Sequence, residues 1–198
     1  MNSSLELHKK EERLMKKFIA LLLTLLLALS AAAPALAEKQ TYRSLYSGEV
    51  TTLNYLTTTT TSEFGLLSNL IDTLVESDRY GQLQPCLAES WEASSDGLTW
   101  TFRLRHGVQW VDAQGNAVAE VTAHDFVTAA EYILNAQHAS GSAKTLYKII
   151  VGAKEYYDGT ATPKEGEQPA PKTEWDTVGV KALNDYTLQY TLKNPVAY

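Results

Sequence analysis

Several residue types able to do chemistry are present in this chain, but their spacing selects no reaction. The histidines are His8, His106, His124 and His138. His8 falls in a charged leader, and the other three are too widely spaced for a local metal motif. His124 lies in the first turn of an expected helix and His106 beside Gly107 at a strand end, which points to surface, capping and loop roles. Carboxylates are plentiful, so Glu89 and Asp112 can be written as an acid–base pair. Nothing in the spacing prefers that pair, and a solvated face is the default. There is no glycine-rich phosphate loop, no HExxH, no CxxC and no G-x-S-x-G elbow. Cys86 is the only cysteine, so an intrachain disulfide is excluded, and it reads as a small buried hydrophobe between Pro85 and Leu87.

A candidate binding element is less conspicuous. Thr57 to Thr61 is a run of five threonines. The plain reading is a polar, β-branched linker or strand edge; the sharper one is a loop whose hydroxyls and amides face a ligand. Charge narrows the partners. The chain carries a net charge of −6, and the leader holds Lys9, Lys10, Arg13, Lys16 and Lys17 against Glu6, Glu11 and Glu12. The chain beyond the leader is therefore more acidic still, with no electrostatic footprint for nucleic acid or anionic lipid.

The leader has the three parts of a secretory signal. Lys16-Lys17 precede the apolar run Phe18 to Leu29, and Ala35-Leu36-Ala37 offers the small residues a signal peptidase accepts. Cleavage is expected between Ala37 and Glu38, and Met15 reads as a start as well as Met1. Glu38 at the new terminus does not support lipid anchoring through an N-terminal cysteine.

Any site must be positioned by the elements that come after the leader. Thr41 to Leu56 begins with an expected strand, broken at Gly48. Phe64, Leu67, Ile71 and Leu74 predict a helix of about three turns. Leu98, Trp100, Phe102 and Leu104 alternate with polar residues as in a half-buried strand, entered through a tight turn at Asp96-Gly97. Thr122 and Asp125 form a capping box for a helix whose apolar face holds Phe126, Val127, Ala130, Ile133 and Leu134. Leu146, Ile149, Ile150, Ala153 and Tyr157 predict one further amphipathic helix, with Gly159 as its C′ residue. Thr160 to Thr173, with three prolines, is expected to be a surface loop. Val178, Val180 and Ala182, then Leu188, Tyr190 and Leu192, predict a second hairpin turning at Asn184-Asp185. Trp91, Trp100 and Trp110 are expected in the core. Together these give an α+β domain of antiparallel hairpins packed on helices.

Leu87 to Trp110, read as L-A-E-S-W-E-x-S-x-D-G-L-T-W-T-F-x-L-R-x-G-V-x-W, resembles the extracellular solute-binding proteins (family 5) of the oligopeptide/dipeptide ABC-importer type. Val121 to Val127 resembles the family's next block, Val180 to Leu188 its subsequent hairpin, and Asn194 to Tyr198 the segment after it. Gly48 to Leu56 is similar to the first block, so the resemblance covers nearly all of Thr41 to Tyr198 in one order. It implies a periplasmic-binding-protein-like type II fold in part: the start of lobe I over 38–79, an inserted small α+β domain over 80–192, and a return to lobe I from 193. Family members are several hundred residues longer, and the second lobe is absent here, with the acidic group that peptide binders of the family use for the ligand's amino terminus. The family's W-x-D-G turn is lengthened here to Trp110-Val111-Asp112-Ala113-Gln114-Gly115.

The resemblance implies a receptor, not an enzyme, that captures short peptides outside the membrane and delivers them to an ABC permease and ATPase. Relatives that bind nickel, haem or oligosaccharides leave the cargo open, and a secreted hydrolase is the rival from another class. No resident cofactor or metal is implied. The ligand-lining positions that the resemblance carries over are Thr59, Thr60, Ser62, Glu63 and Phe64, and the connector near Ser140 to Tyr147 also approaches the ligand.

Overall fold

The computed structural model describes residues 13–19, 22, 43 and 48–196. The expected cleavage between Ala37 and Glu38 and the expected strand before Gly48 lie outside the described residues. The chain divides into two units, Met1–Leu45 and Tyr46–Tyr198. In the first, residues 13–19 and 22 are helical. Among the described residues no helix is long and apolar enough to cross a membrane.

In the second unit two hairpins fuse into one antiparallel sheet. β3 (Ala88–Ala93) pairs with β4 (Thr99–Leu104). Their turn is closed by Gly97, which has φ 69° and donates its N–H to the Ser94 carbonyl at 2.8 Å. Asp96 accepts the Ser94 hydroxyl at 2.5 Å and the Leu98 N–H at 3.0 Å, so the Asp-Gly signal is borne out. β7 (Val180–Asn184) and β8 (Thr187–Thr191) form the second hairpin. β4 pairs with β8, setting Trp100 opposite Tyr190 and Phe102 opposite Leu188, so the strand order is β3-β4-β8-β7. Two-stranded ribbons flank this sheet: β1 (Val75–Ser77) with β2 (Leu83–Pro85), and β5 (Gln109–Val111) with β6 (Ala117–Glu120). The lengthened turn lies in the second ribbon, where Asp112 accepts the Gln114 and Asn116 N–H groups, each at 2.9 Å.

The capped helix forms as the pattern predicts. α2 (Ala123–Leu134) starts at Thr122, whose backbone N–H donates to the Asp125 carboxylate at 2.7 Å. Its face of Ala123, Ala130 and Leu134 is buried in one core with Leu104, Val180 and Leu188 of the sheet. The small alanines let the helix backbone lie close to the strands, and burying each large aliphatic chain is worth about 1.5–3 kcal/mol.

Other expectations give way to tertiary contacts. The single helix expected from Leu146 to Tyr157 is two, α3 (Ala143–Ile149) and α4 (Ala153–Thr160). Between them Ile150 bridges Leu192, the Val151 N–H donates to the Thr191 carbonyl at 3.0 Å, and the Gly179 N–H donates to the Val151 carbonyl at 2.9 Å. Sheet bonding has displaced the helical bonds there. Gly152 makes the corner at φ 70°, packed so closely on the Thr177 carbonyl that a Cβ would overlap it. Gly159 lies inside α4 and is not its C′ residue.

The first helix is shorter than expected: α1 covers Thr61–Leu67 only. The Asn69 amide donates back to the Gly65 carbonyl at 3.0 Å and the Ser68 hydroxyl does so at 3.1 Å. These local bonds compete with further turns, and Leu74 ends beside β1 instead. Trp91, Trp100 and Trp110 are half-buried rather than core residues, and Cys86 is half-buried too. The fully buried positions belong to smaller chains such as Leu134, Ile150, Val178 and Leu188. Leu188→Ala, at the centre of the fused sheet, is expected to lower stability by about 2–5 kcal/mol in urea unfolding.

Candidate functional site

The Thr-rich loop is built around a buried carboxylate. Glu63, the third residue of α1, is 1% exposed. It accepts the Thr51 N–H at 2.7 Å, the Thr51 hydroxyl at 2.7 Å, the Thr52 N–H at 3.1 Å and the Thr58 hydroxyl. Hydrogen bonds from Thr58 and Thr51, strongest first, hold its carboxyl down at about 2 against an ordinary value of 4.5. Glu63 is thus closed off from any ligand, and its expected direct contact is replaced by an internal one. The other expected positions are open: Thr59, Thr60 and Phe64 are exposed and Ser62 half-exposed.

The loop is fastened to the far end of α2 and to the connector after it. The Thr57 and Thr58 N–H groups both donate to the Asn54 carbonyl at 3.1 Å. The Asn54 side chain donates to the Tyr132 hydroxyl at 3.3 Å, and Tyr132 stacks on His138 with ring centres 3.8 Å apart. Ser140 donates its hydroxyl to the Leu56 carbonyl at 2.5 Å, and the Gly141 N–H donates to the Thr57 carbonyl at 3.1 Å. The two stretches expected to face the ligand, 84 residues apart at Leu56 and Ser140, are therefore adjacent. At the junction Gly141 lies against Thr59, and a Cβ on Gly141 would overlap Thr59 Cγ2. Sequence reading missed Asn54 and Tyr132. Their contact spans 78 residues of sequence, which no local pattern records.

Two cavities lie elsewhere. One of about 450 Å³ is lined by Tyr55, Ile71, Trp110, Val121 and Phe126 among others. A larger apolar groove of about 960 Å³ runs along Trp91, Trp100, Phe102, Leu146 and Tyr190. Burial there pushes the Tyr190 phenol up to about 12. None of Thr59, Thr60, Ser62, Glu63 and Phe64 lines either cavity. Among the described residues no three His, Cys, Asp or Glu side chains gather as a metal site. At the surface the loop carries the Thr59 and Thr60 side chains, with the Gly141 backbone against Thr59.

These features define part of a type II periplasmic-binding-protein fold, seen again in solved solute-binding proteins. An oligopeptide-binding protein of Borrelia burgdorferi superposes with a TM-score of 0.60 at 30% identity, over 74% of this chain and 26% of its own. The Haemophilus influenzae OppA complex with RPPGFSPFR gives 0.57 at 34% identity, over 74% of this chain and 25% of that one. The family model for bacterial extracellular solute-binding proteins, family 5 (middle region), matches residues 82–198, and the chain belongs to that family. Among curated relatives, Streptococcus pneumoniae AliB, an oligopeptide-binding protein, is 37% identical over 173 residues, which is 86% of this chain and 24% of AliB. AmiA of the same species is 40% identical over 154 residues, covering 78% of this chain and 21% of AmiA. The chain thus spans about a quarter of the length of the relatives it matches.

Two outcomes test the geometry. Because the Glu63 carboxyl is depressed in the folded chain, its contribution to loop order is fully present above pH 4.5 and is lost as pH falls through about 2. Amide exchange at Thr51, Thr52 and Thr60 should accelerate over that window ahead of the core. Gly141→Ala should shift the Thr59 and Thr60 amide resonances while leaving those of the β4–β8 pair in place.

Proposed function

We propose that this chain is the substrate-binding component of a peptide ABC importer, capturing short peptides outside the membrane and delivering them to a permease and ATPase. The observation that carries this reading is the junction of the Thr59–Thr60 loop with the Ser140–Gly141 connector, in a family whose relatives are named for oligopeptide binding. The exposed Thr59 peptide groups, set beside the connector, can hydrogen-bond an extended ligand without reading its side chains, which suits a receptor of broad peptide specificity. Thr59, Thr60, Ser62 and Phe64 are the proposed contacts. Residues 38–79 would then start the first lobe and 80–192 form the inserted domain. A second lobe would complete the cleft, and hinge closure would trap the peptide.

In this reading the chain is not an enzyme and holds no cofactor; turnover of peptide or ester substrates by the purified protein would overturn it. Export rests on the Lys16-Lys17, Phe18–Leu29 and Ala35–Ala37 pattern, and mass spectrometry of the secreted form should give an N-terminus at Glu38. Calorimetry with tri-, tetra- and pentapeptides, on this chain and on one carrying the second lobe, tests the cargo. Peptide binding in at least the two-lobed form is the expected result. Binding of nickel, haem or oligosaccharide with no response to peptides would assign the site to another solute.

A further inference from the structure

Glu63 is the only charged side chain among the described residues that is buried, and no basic group among them pairs with it. A lone buried carboxylate is a costly way to stabilise a short helix, since an apolar side chain of like size avoids the desolvation. What it does provide is direction. An ionised carboxylate only accepts hydrogen bonds, so the Thr58 hydroxyl must donate to it. That leaves the Thr58 oxygen free to accept the Thr60 N–H, which it does at 3.0 Å. The order of donors is thus Thr60 N–H to Thr58 hydroxyl to Glu63.

Thr59 lies between two residues tied inward by this relay. Its own N–H and carbonyl take no partner among the described residues, and its side chain rests against Gly141. The adjoining Thr51 and Thr52 amides are held by the same carboxylate. One buried group therefore sets the course of the chain on both sides of the exposed strip.

We propose that Glu63 is a positioning residue for ligand capture: its carboxylate, acting through the Thr58 hydroxyl, aims the free Thr59 peptide groups at the backbone of an extended peptide. The proposal rests on the peptide-binding reading above, but Glu63 itself touches no ligand. Substitution should therefore weaken binding through the loop's course, whatever the peptide's side chains.

The test uses tri-alanine and penta-alanine, which offer backbone and almost nothing else, against the full chain and its two-lobed form. Glu63→Gln keeps the size and the Oε1 acceptor but reverses the bond to Thr58 and removes the charge. Thr58→Val removes the hydroxyl at constant shape. Each should weaken binding about ten-fold, the loss expected for one charge-assisted hydrogen bond. The double variant should be no worse than either single, because both cut the same relay. Thr58→Ser, which restores the hydroxyl, should bind like the parent, and amide exchange at Thr60 should rise in the first two variants only. Lower melting temperatures with unchanged affinity and unchanged Thr59 and Thr60 resonances would reduce Glu63 to a stabilising role and overturn the proposal. Should neither form bind alanine peptides at all, the peptide reading fails separately, and the resonances decide the relay: movement of Thr59 and Thr60 in the variants supports it, and none refutes it.

Discussion

The pairing of β4 with β8 is the contact on which the rest of this unit depends. Each strand has its own hairpin partner close in sequence, but the sheet exists only because Trp100 and Phe102 meet Tyr190 and Leu188 across the chain. That pairing gives α2 a single apolar face to cover, and Ala153 and Tyr156 of α4 join the same core. It also extends beyond the strands: the Thr191 and Leu192 backbone goes on to hold Val151 and Ile150, which sets the break between α3 and α4. Long-range strand pairing fixes many residues before it returns contact energy, so this joint is where closure entropy is concentrated.

The Thr-rich loop is ordered by different physics. It has few apolar side chains in the core, with Leu67 the buried one of α1. Its shape comes from hydrogen bonds to Glu63, to the Asn54 carbonyl and across to Ser140 and Gly141. A polar scaffold of this kind is directional where an apolar one is not, and it leaves amides and hydroxyls at the surface available to a ligand. The unit thus combines two kinds of order: an apolar sheet-and-helix core, and a loop held by hydrogen bonds around a carboxylate.

The half-buried tryptophans have a reason of the same sort. Trp91 and Trp100 line the larger apolar groove with Phe102 and Tyr190, while the interior proper is filled by alanines and branched aliphatics. Trp100 still satisfies its indole, donating to the Gly97 carbonyl at 3.2 Å. An indole at the turn end of a strand can bury its ring and keep its N–H bonded to the turn, which a fully enclosed position seldom allows.

The local parts of this architecture were legible in the amino-acid order. Period-2 alternation marked β4, β7 and β8; Asp96-Gly97 marked a turn; Thr122 and Asp125 marked the start of α2; and several blocks in one order marked the family. Apart from the family blocks, each is a signal carried by residues close together in the chain, where sterics and capping act directly. That the threonine loop faces a ligand is an expectation from the sequence, carried on in the proposed function. Tertiary structure alone decided which hairpins share a sheet, that the helix expected around Ile150 is interrupted, and that Glu63 faces inward while Thr59 stays open. Those outcomes depend on partners far off in the chain, as between Trp100 and Tyr190 or between Leu56 and Ser140. Periodicity cannot register a partner that only folding supplies.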